Sequence, residues 1–431
     1  MKNSKILLIA INTLWALPAF STPIEDDADF FKERDSAAYV QKGLRSGSFM
    51  YLPELSLTNE YNSNIYMRDK ALGENDSYVA HYKPGVDVRS DWTRHSLGFG
   101  LNTDIAQYAT QPNNNDYQDV MTHIDGKLDL TRNGNFYGNF AYNRLHENRG
   151  SPDQIGGMTP TVYDTKIFDG FYSEKFNRIA LKTGLDATRY DYEDVQSSLG
   201  TTLKMSTRDR WEYKPLIRLG YEIQPGYEAF TKFEYKIADY DTDVLSSGAG
   251  TAINRNSNGY NATAGMGFDL TDLLTGDISA GYIQRSYDDT RLSQVSGVNG
   301  FLNLKYRPTK LTTILGRISR DVAETTQQGV AGILSTSASL SAEHELYRNV
   351  LLKVGGNIGQ MDYEGYDADN TNTSTRYNRD DLMYGGTASA KYLLNRNLST
   401  DLAYTYSSRD SNYAYSNFVM NQLMLNLRGQ F

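Results

Sequence analysis

One repeating plan runs from Leu52 to the last residue, Phe431. An alternating apolar/polar run ends in a short turn, and the next run ends in a longer polar loop. The short turns fall at 91–94, 132–134, 175–177, 224–226, 272–276, 307–309, 347–349 and 395–397, and they carry the Gly, Pro and Asn of tight reversals. The long loops fall near 63–77, 109–116, 147–160, 191–208, 241–257, 288–295, 323–332, 361–381 and 409–416, and they are rich in Asn, Asp, Ser, Thr and Gly. Strict alternation of short and long connections places them on opposite rims of one sheet. That is the plan of a transmembrane barrel, with short periplasmic turns and long extracellular loops.

The runs fit the same plan. A strand sends successive side chains to opposite faces. In 97–105, Leu97, Phe99, Leu101 and Ile105 oppose Gly98, Gly100, Asn102 and Asp104. In 227–237, Tyr227, Phe233, Tyr235 and Ile237 oppose Glu228, Lys232, Glu234 and Lys236. Charge at every second position is costly against a dry core and is at ease against a wet lumen. About eighteen such runs are present, with sixteen as the fallback count because alternation is poor at 161–174. The expected fold is a closed antiparallel up-and-down barrel over 50–431. At that size it is too wide for side chains alone to fill. Trp211, Tyr213, Tyr221, Tyr227 and Tyr235 stand near the ends of their runs, where aromatic girdles sit.

The closing strand is Asn421–Phe431. Leu423, Leu425, Leu427, Gly429 and Phe431 share one parity and face lipid; Met424, Asn426 and Arg428 share the other. The terminal aromatic resembles the signal read by the barrel-assembly machinery. Closure requires this strand to pair with the first, around Leu52–Leu57.

The start has Lys2 and Lys5, an apolar run from Ile6 to Ala16, and Ala19 and Ser21 at small-x-small spacing. It reads as a signal peptide over 1–21, too short to be a membrane span. Residues 22–49 read as a periplasmic lead-in. Loss of the two lysines takes the formal charge from −9 to about −11. No basic patch suggests nucleic acid. Cysteine is absent, so disulfides and thiolate chemistry are excluded.

The lumen is where a channel must act. Its candidate lining residues are Arg89, Lys127, Lys214, Arg218, Glu222, Lys232, Glu234, Arg317 and Arg428. Further inward charges are expected at Asp87, Asp125, Lys182, Asp186, Glu212, Glu228, Lys236, Arg285 and Lys305. Mixed signs suit a neutral or weakly charged polymer better than a strongly anion-selective pore. Tyr137, Tyr190, Phe230 and Phe301 either stack sugars or fill space.

Lys42-Gly43-Leu44-Arg45-Ser46-Gly47-Ser48-Phe49, then Tyr51-Leu52-Pro53-Glu54-Leu55-Ser56-Leu57 and Glu60-Tyr61-Asn62-Ser63-Asn64-Ile65-Tyr66, resemble the opening of the beta-barrel porin-2 family. Tyr82-Lys83-Pro84-Gly85 and Tyr213-Lys214-Pro215 are similar to its later strands. The resemblance covers about residue 40 to the end. It implies an outer-membrane barrel, many of whose relatives occur in exopolysaccharide clusters, and so a role in polysaccharide passage. It transfers no catalytic residue. Pro53 also has an architectural reading, because a missing N–H costs least at a strand start.

Enzyme chemistry finds little support. His81, His95, His123, His146 and His344 fall in different runs without metal-ligand spacing. His123 and Asp125 share a face and could exchange a proton. Gly265-Met266-Gly267 and Gly355-Gly356 read as strand glycines. The acidic segment Asp362–Asp381, with Glu364, Asp367, Asp369, Asn370 and Asp380, lacks EF-hand spacing and reads as a solvated loop. No cofactor, metal or catalytic group is expected. The expected partners are outer-membrane lipid and lipopolysaccharide and the assembly machinery, with polysaccharide and periplasmic export proteins if the channel exports. The alternative functions are a general or sugar-selective diffusion porin and, less favoured, a rim-active barrel enzyme.

Overall fold

The computed structural model describes Tyr39 and residues 41–154, 157–245, 252–270, 273–327, 330–365 and 378–431. The expected leader 1–21, most of the expected lead-in, Asp272 of the expected turn 272–276, and Asp367, Asp369 and Asn370 of the acidic segment lie outside these residues. No helix among the described residues is long and apolar enough to cross a membrane.

Eighteen long strands form a closed antiparallel barrel. In chain order they are β1 (Phe49–Asn62), β2 (Ser77–Ser90), β3 (Ser96–Tyr108), β4 (Tyr117–Asp129), β5 (Gly134–His146), β6 (Val162–Phe176), β7 (Ile179–Tyr192), β8 (Arg210–Gln224) and β9 (Tyr227–Tyr240). The second half is β10 (Ser257–Leu270), β11 (Leu274–Tyr287), β12 (Val295–Thr309), β13 (Thr312–Ala323), β14 (Val330–Tyr347), β15 (Val350–Gly365), β16 (Asn378–Leu393), β17 (Leu398–Ser411) and β18 (Phe418–Gln430). Each pairs with its chain neighbours, and β18 returns to β1 through Leu57↔Leu427 and Glu54↔Gln430. Closure leaves no unpaired edge in the bilayer, where a free N–H or C=O has no water to bind.

The seam places the opening and closing segments side by side. Leu55, Leu57, Leu423, Leu425, Leu427 and Phe431 point outward and stay exposed. Arg428 points inward and pairs with Glu54. β1 begins five residues before its register with β18 reaches Glu54. There the chain folds back, and the short strand Leu44–Ser46 pairs with Phe49–Tyr51. This hairpin makes the whole sheet nineteen-stranded. Part of the expected lead-in thus belongs to the sheet. The Gln41 side chain donates to the Phe431 carbonyl at 2.7 Å and to the Pro53 carbonyl at 3.2 Å, tying the segment before β1 to the last residue.

Several boundaries differ from the sequence expectation, each for a physical reason. The segment of poor alternation is a full stave, β6. Its outward Asp164 and Lys166 lie toward the loop end, where polar residues meet headgroups and water. There Arg144 bonds Asp164 at 3.2 Å, and Lys166 bonds Asp191 at 3.0 Å. The reversal expected at 307–309 falls one step later, because β12 runs on through Pro308 to Thr309 after a register shift. The expected loop 361–381 is narrower: β15 continues to Gly365 and β16 starts at Asn378. Tyr363, Arg379 and Asp381 hold these strand ends together, with Asp381 fully buried.

The four apolar clusters among the described residues all lie at the loop end. One joins Val330, Ile333, Met361, Tyr363, Met383, Phe418 and Met420, with Met67 packed against it. Another joins Tyr163, Tyr190, Tyr192, Val195 and Met205. The other two draw on Ile253, Leu292 and Ala331 and on Ile283, Val295, Val322 and Leu334.

Candidate functional site

Antiparallel register puts directly opposed residues on one face, so the inward wall can be read stave by stave. It has two sectors. From β4 to β9 it is dense in paired charge. Lys127 meets Asp129 at 3.3 Å, Lys214 meets Asp186 at 3.2 Å, and Arg218 meets Glu228 at 2.6 Å. Lys232 meets Glu234 at 2.8 Å, Lys236 meets Glu212 at 3.2 Å, and Lys175 meets Glu222. Glycine makes room for some of these: a Cβ on Gly220 would lie 1.8 Å from a Glu228 oxygen, and one on Gly100 2.1 Å from the His123 ring.

From β14 to β18 the wall is mostly hydroxyl, amide and glycine. Ser335, Ser337, Ser339 and Ser341 share one face of β14 and oppose Met361, Gly359, Asn357 and Gly355 of β15. Gly385, Thr387 and Ser389 follow on β16, with Thr405 and Ser407 on β17. Ion pairs stand at its two ends, as Arg379–Asp381 at 2.6 Å at the loop end and as Lys353–Glu343 at 3.1 Å and Arg428–Glu54 near the periplasmic end.

The lining candidates from sequence all fall on the inward parity. Arg89 lies opposite Gly98, and Arg317 lies between Asn303 and Ser339; neither has an ion pair among the described residues. The remaining seven are in the pairs above. The proposed stacking aromatics separate. Tyr190 is buried under Arg210, at 4.4 Å from its ring, and Phe230 is buried under Arg218, at 4.2 Å. These two faces are taken by guanidinium groups. Tyr137 and Phe301 remain partly open.

The loop end is crossed by residues 147–154, the first part of the loop between β5 and β6, hereafter L3. Glu147 anchors it to its own side through a doubly bonded, buried pair with Arg208, at 2.7 and 3.0 Å. Arg208 also lies 4.0 Å over the Tyr192 ring. Burial opposes the Arg208 charge, yet Tyr192, Glu147 and Asp153 hold its pKa above the usual arginine range. Arg149 donates to the carbonyls of Gly157 and Met158, both at 2.7 Å, and of Asn114 at 2.9 Å. Burial lowers the Arg149 pKa.

L3 then reaches the far wall. The Gly150 carbonyl accepts from Arg409 of β17 at 3.0 Å. Asp153 accepts from the Thr325 hydroxyl and, at 3.2 Å, from the Thr326 N–H, both in the loop after β13. The β5–β6 and β13–β14 edges are close to half-way round the barrel from each other, so L3 bridges the mouth. Arg255 braces that far loop through the carbonyls of Thr325, Gln327 and Val330.

Sequence reasoning did not find the bridge. It also missed the buried group His81, Glu60 and Asp104. His81 bonds Asp104 at 3.0 Å and lies 3.4 Å from Glu60. These residues are on β2, β1 and β3, and only the register unites them. His123 and Asp125 are 3.6 Å apart. No group of three or more acidic or histidine side chains among the described residues could hold a metal ion.

A barrel with short turns on one rim, a wet charged wall and loops folded over the other rim has the anatomy of a porin. The chain belongs to the family described as "Putative beta-barrel porin 2", whose model matches residues 36–431. This places the barrel among outer-membrane porins. No curated protein matches the chain. Solved structures with a similar fold include OpdL of Pseudomonas aeruginosa, 11% identical, covering 89% of this chain and 99% of that one, with a TM-score of 0.43. OpdK of the same organism, solved with vanillate, is 10% identical, with coverage of 88% and 99% and a TM-score of 0.44. OprD of Pseudomonas aeruginosa is 11% identical, with coverage of 93% and 96% and a TM-score of 0.41.

Proposed function

We propose that this porin-family barrel is a gated outer-membrane conduit for polysaccharide and takes part in exopolysaccharide export. The observation that carries the reading is the lumen wall. Many of its charges are compensated at close range, with Arg89 and Arg317 as exceptions, and a whole sector offers mostly hydroxyl, amide and glycine. A wall of paired charges sets up little net field to select ions. A neutral hydrogen-bonding track suits a hydroxyl-rich chain, which exchanges water contacts for wall contacts at small net cost. Membership of the family and its resemblance to barrels of polysaccharide clusters support the same reading. Within it, Arg89, Lys127, Lys214, Arg218, Glu222, Lys232, Glu234, Arg317 and Arg428 line the path, and the L3 bridge is the gate. Leu423, Leu425, Leu427, Gly429 and Phe431 are the assembly signal.

Deletion tests it directly: surface polysaccharide should fall and be restored by the wild-type chain, and unchanged polysaccharide would defeat export. The L3 bridge itself favours a second reading, a diffusion porin for small sugars, since a bridged mouth leaves less room for a polymer than for a monomer. Steady conductance of the unmodified protein in planar bilayers, relieved by small sugars and joined to unchanged polysaccharide in the deletion strain, would decide for it.

A further inference from the structure

The two rims differ in the sign of their excess charge, and six cations on the periplasmic rim have no ion pair among the described residues. Lys42, Arg132, Arg178, Lys310, Arg348 and Arg396 sit in the lead-in and in the turns after β4, β6, β12, β14 and β16. None of the six has an ion pair among the described residues. They surround the opening on all sides except β8–β11. The one acidic side chain in the described turns, Asp91, is bound to Arg45 at 2.6 Å. Carboxylates at the nearby strand ends are engaged too: Asp129 by Lys127, Glu222 by Lys175, and Glu174 by Thr131 and Tyr172.

The extracellular rim is the reverse. Most of its cations are consumed: Arg208 by Glu147, Lys204 by Asp194 at 2.7 Å, Arg291 by Asp289, and Arg149 and Arg255 by backbone carbonyls; Arg68, 4.5 Å over the Tyr66 ring, and Lys70 have no ion pair among the described residues. Glu74, Asp76 and Asp288 are left there without a cation partner among the described residues.

We infer that the periplasmic rim is a capture surface for a sparsely anionic polysaccharide, one bearing carboxylates at intervals along a mostly neutral chain. This rests on the polysaccharide reading above and narrows its substrate class. Unpaired cations around an opening attract a polyanion and raise its local concentration. The compensated wall beyond the rim does not hold a chain with few charges. The acidic outer rim repels it once it has emerged. A field that changes sign along the axis acts on a solute that moves along the axis. Lipid phosphate would account for the inner ring and leave the outer acid excess without a role.

The test is binding by the purified full chain in a non-ionic detergent. The probes are a fluorescently labelled oligogalacturonate and a neutral malto-oligosaccharide of equal length. The expected result is at least about tenfold tighter binding of the anionic probe at low salt, fading as the Debye length shrinks to about 3 Å near 1 M. The combined Arg132→Glu, Arg178→Glu, Arg348→Glu and Arg396→Glu variant should abolish that preference, and the Gln set should reduce it. Glu74→Lys and Asp288→Lys on the outer rim should leave it unchanged. All these sites lie in turns or loops, and retained heat-resistant mobility in the gel shows that a variant is folded. Equal binding of the two probes overturns the inference. So does a preference that survives rim reversal, or a reversal that lowers binding to phosphatidylglycerol vesicles while sparing the oligomer. If rim-dependent binding holds but the deletion strain keeps its surface polysaccharide, the export reading has failed and the anion-capturing rim stands.

Discussion

The two ends of this barrel solve different problems with the same strands. At the loop end the lumen is dry and interlocked, with four apolar clusters, buried arginines and a loop bonded to the opposite wall. At the turn end the wall faces the lumen, many of its charges are paired along the surface, and five of its turn cations have no ion pair among the described residues. Within the bilayer the staves keep one character, because there their outward faces answer to lipid; polar outward residues such as Asp164 and Lys166 come only toward the loop end. The difference lies in what the inward face meets: packed loops above, water below. The loop end therefore behaves as a small globular core grafted onto a membrane scaffold. It should lose structure independently of the scaffold.

The strongest way to break that contrast is Arg208→Ala. The Arg208–Glu147 pair is buried, so removing one partner strands the other charge and should cost the loop core about 3–5 kcal/mol. Hydrogen exchange of loop amides should accelerate while β-ladder amides in the bilayer keep their protection. If the ladder amides accelerate in step, the two ends form one cooperative unit and the contrast is wrong.

The scaffold half is probed by Leu425→Arg. Leu425 faces lipid on the closing strand, and arginine there should destabilise the folded barrel by about 2–4 kcal/mol. Asn426→Arg, one residue on but facing the lumen beside Asp401 and Thr58, should cost far less. Urea-induced unfolding in lipid vesicles reads both. Equal losses would mean that the assigned faces are wrong.

Period-two alternation made the scaffold legible. Residues such as Leu97, Phe99, Glu228 and Lys232 declare their face by parity alone, and the rim-to-rim alternation of turn lengths declares closure. The bridged mouth was not legible, for a definite reason. Glu147, Gly150 and Asp153 sit in an aperiodic polar segment, and their partners Arg208, Arg409 and Thr325 lie as far as 259 positions away in the chain. The same holds for Glu60, His81 and Asp104, which need the β1–β2–β3 register to meet. Tyr190 and Phe230 were legible as inward aromatics, but Arg210 and Arg218 on the neighbouring stave β8, brought to them only by the register, decide whether their faces are open.

A smaller effect sharpens the role of the bridge. Asp153→Ala removes the acceptor for Thr325 and Thr326 and should weaken the L3 crossing by about 1–3 kcal/mol. Ladder protection should not change. Planar-bilayer recordings should show more frequent or longer openings than the wild type. Unaltered gating with intact L3 protection would relieve this contact of any part in closing the mouth.

The smallest effect is a pH response confined to the dry end. Asp289 lies in the loop after β11, and its carboxylate is bound by the Arg291 side chain, which holds its pKa down at about 2 despite some burial. In an unfolded loop the same group titrates near its ordinary value of about 3.9. The folded value is the lower one, so the pair stabilises the loop at neutral pH. That stabilisation fades as pH falls through about 4 toward 2, where both forms take up the proton. Exchange rates at the amides of Asn254 and Arg291, which both donate to Asp289, should rise over that window. The Asp289→Asn variant should show the raised rates already at pH 7 and lose the titration. Guanidinium groups do not titrate in this window, so exchange at the amides of Arg348 and Arg396 in the periplasmic turns should pass through it without change. Amides there that responded in step with this loop, and ceased to respond in the Asp289→Asn variant, would show that the two ends are coupled through the barrel wall.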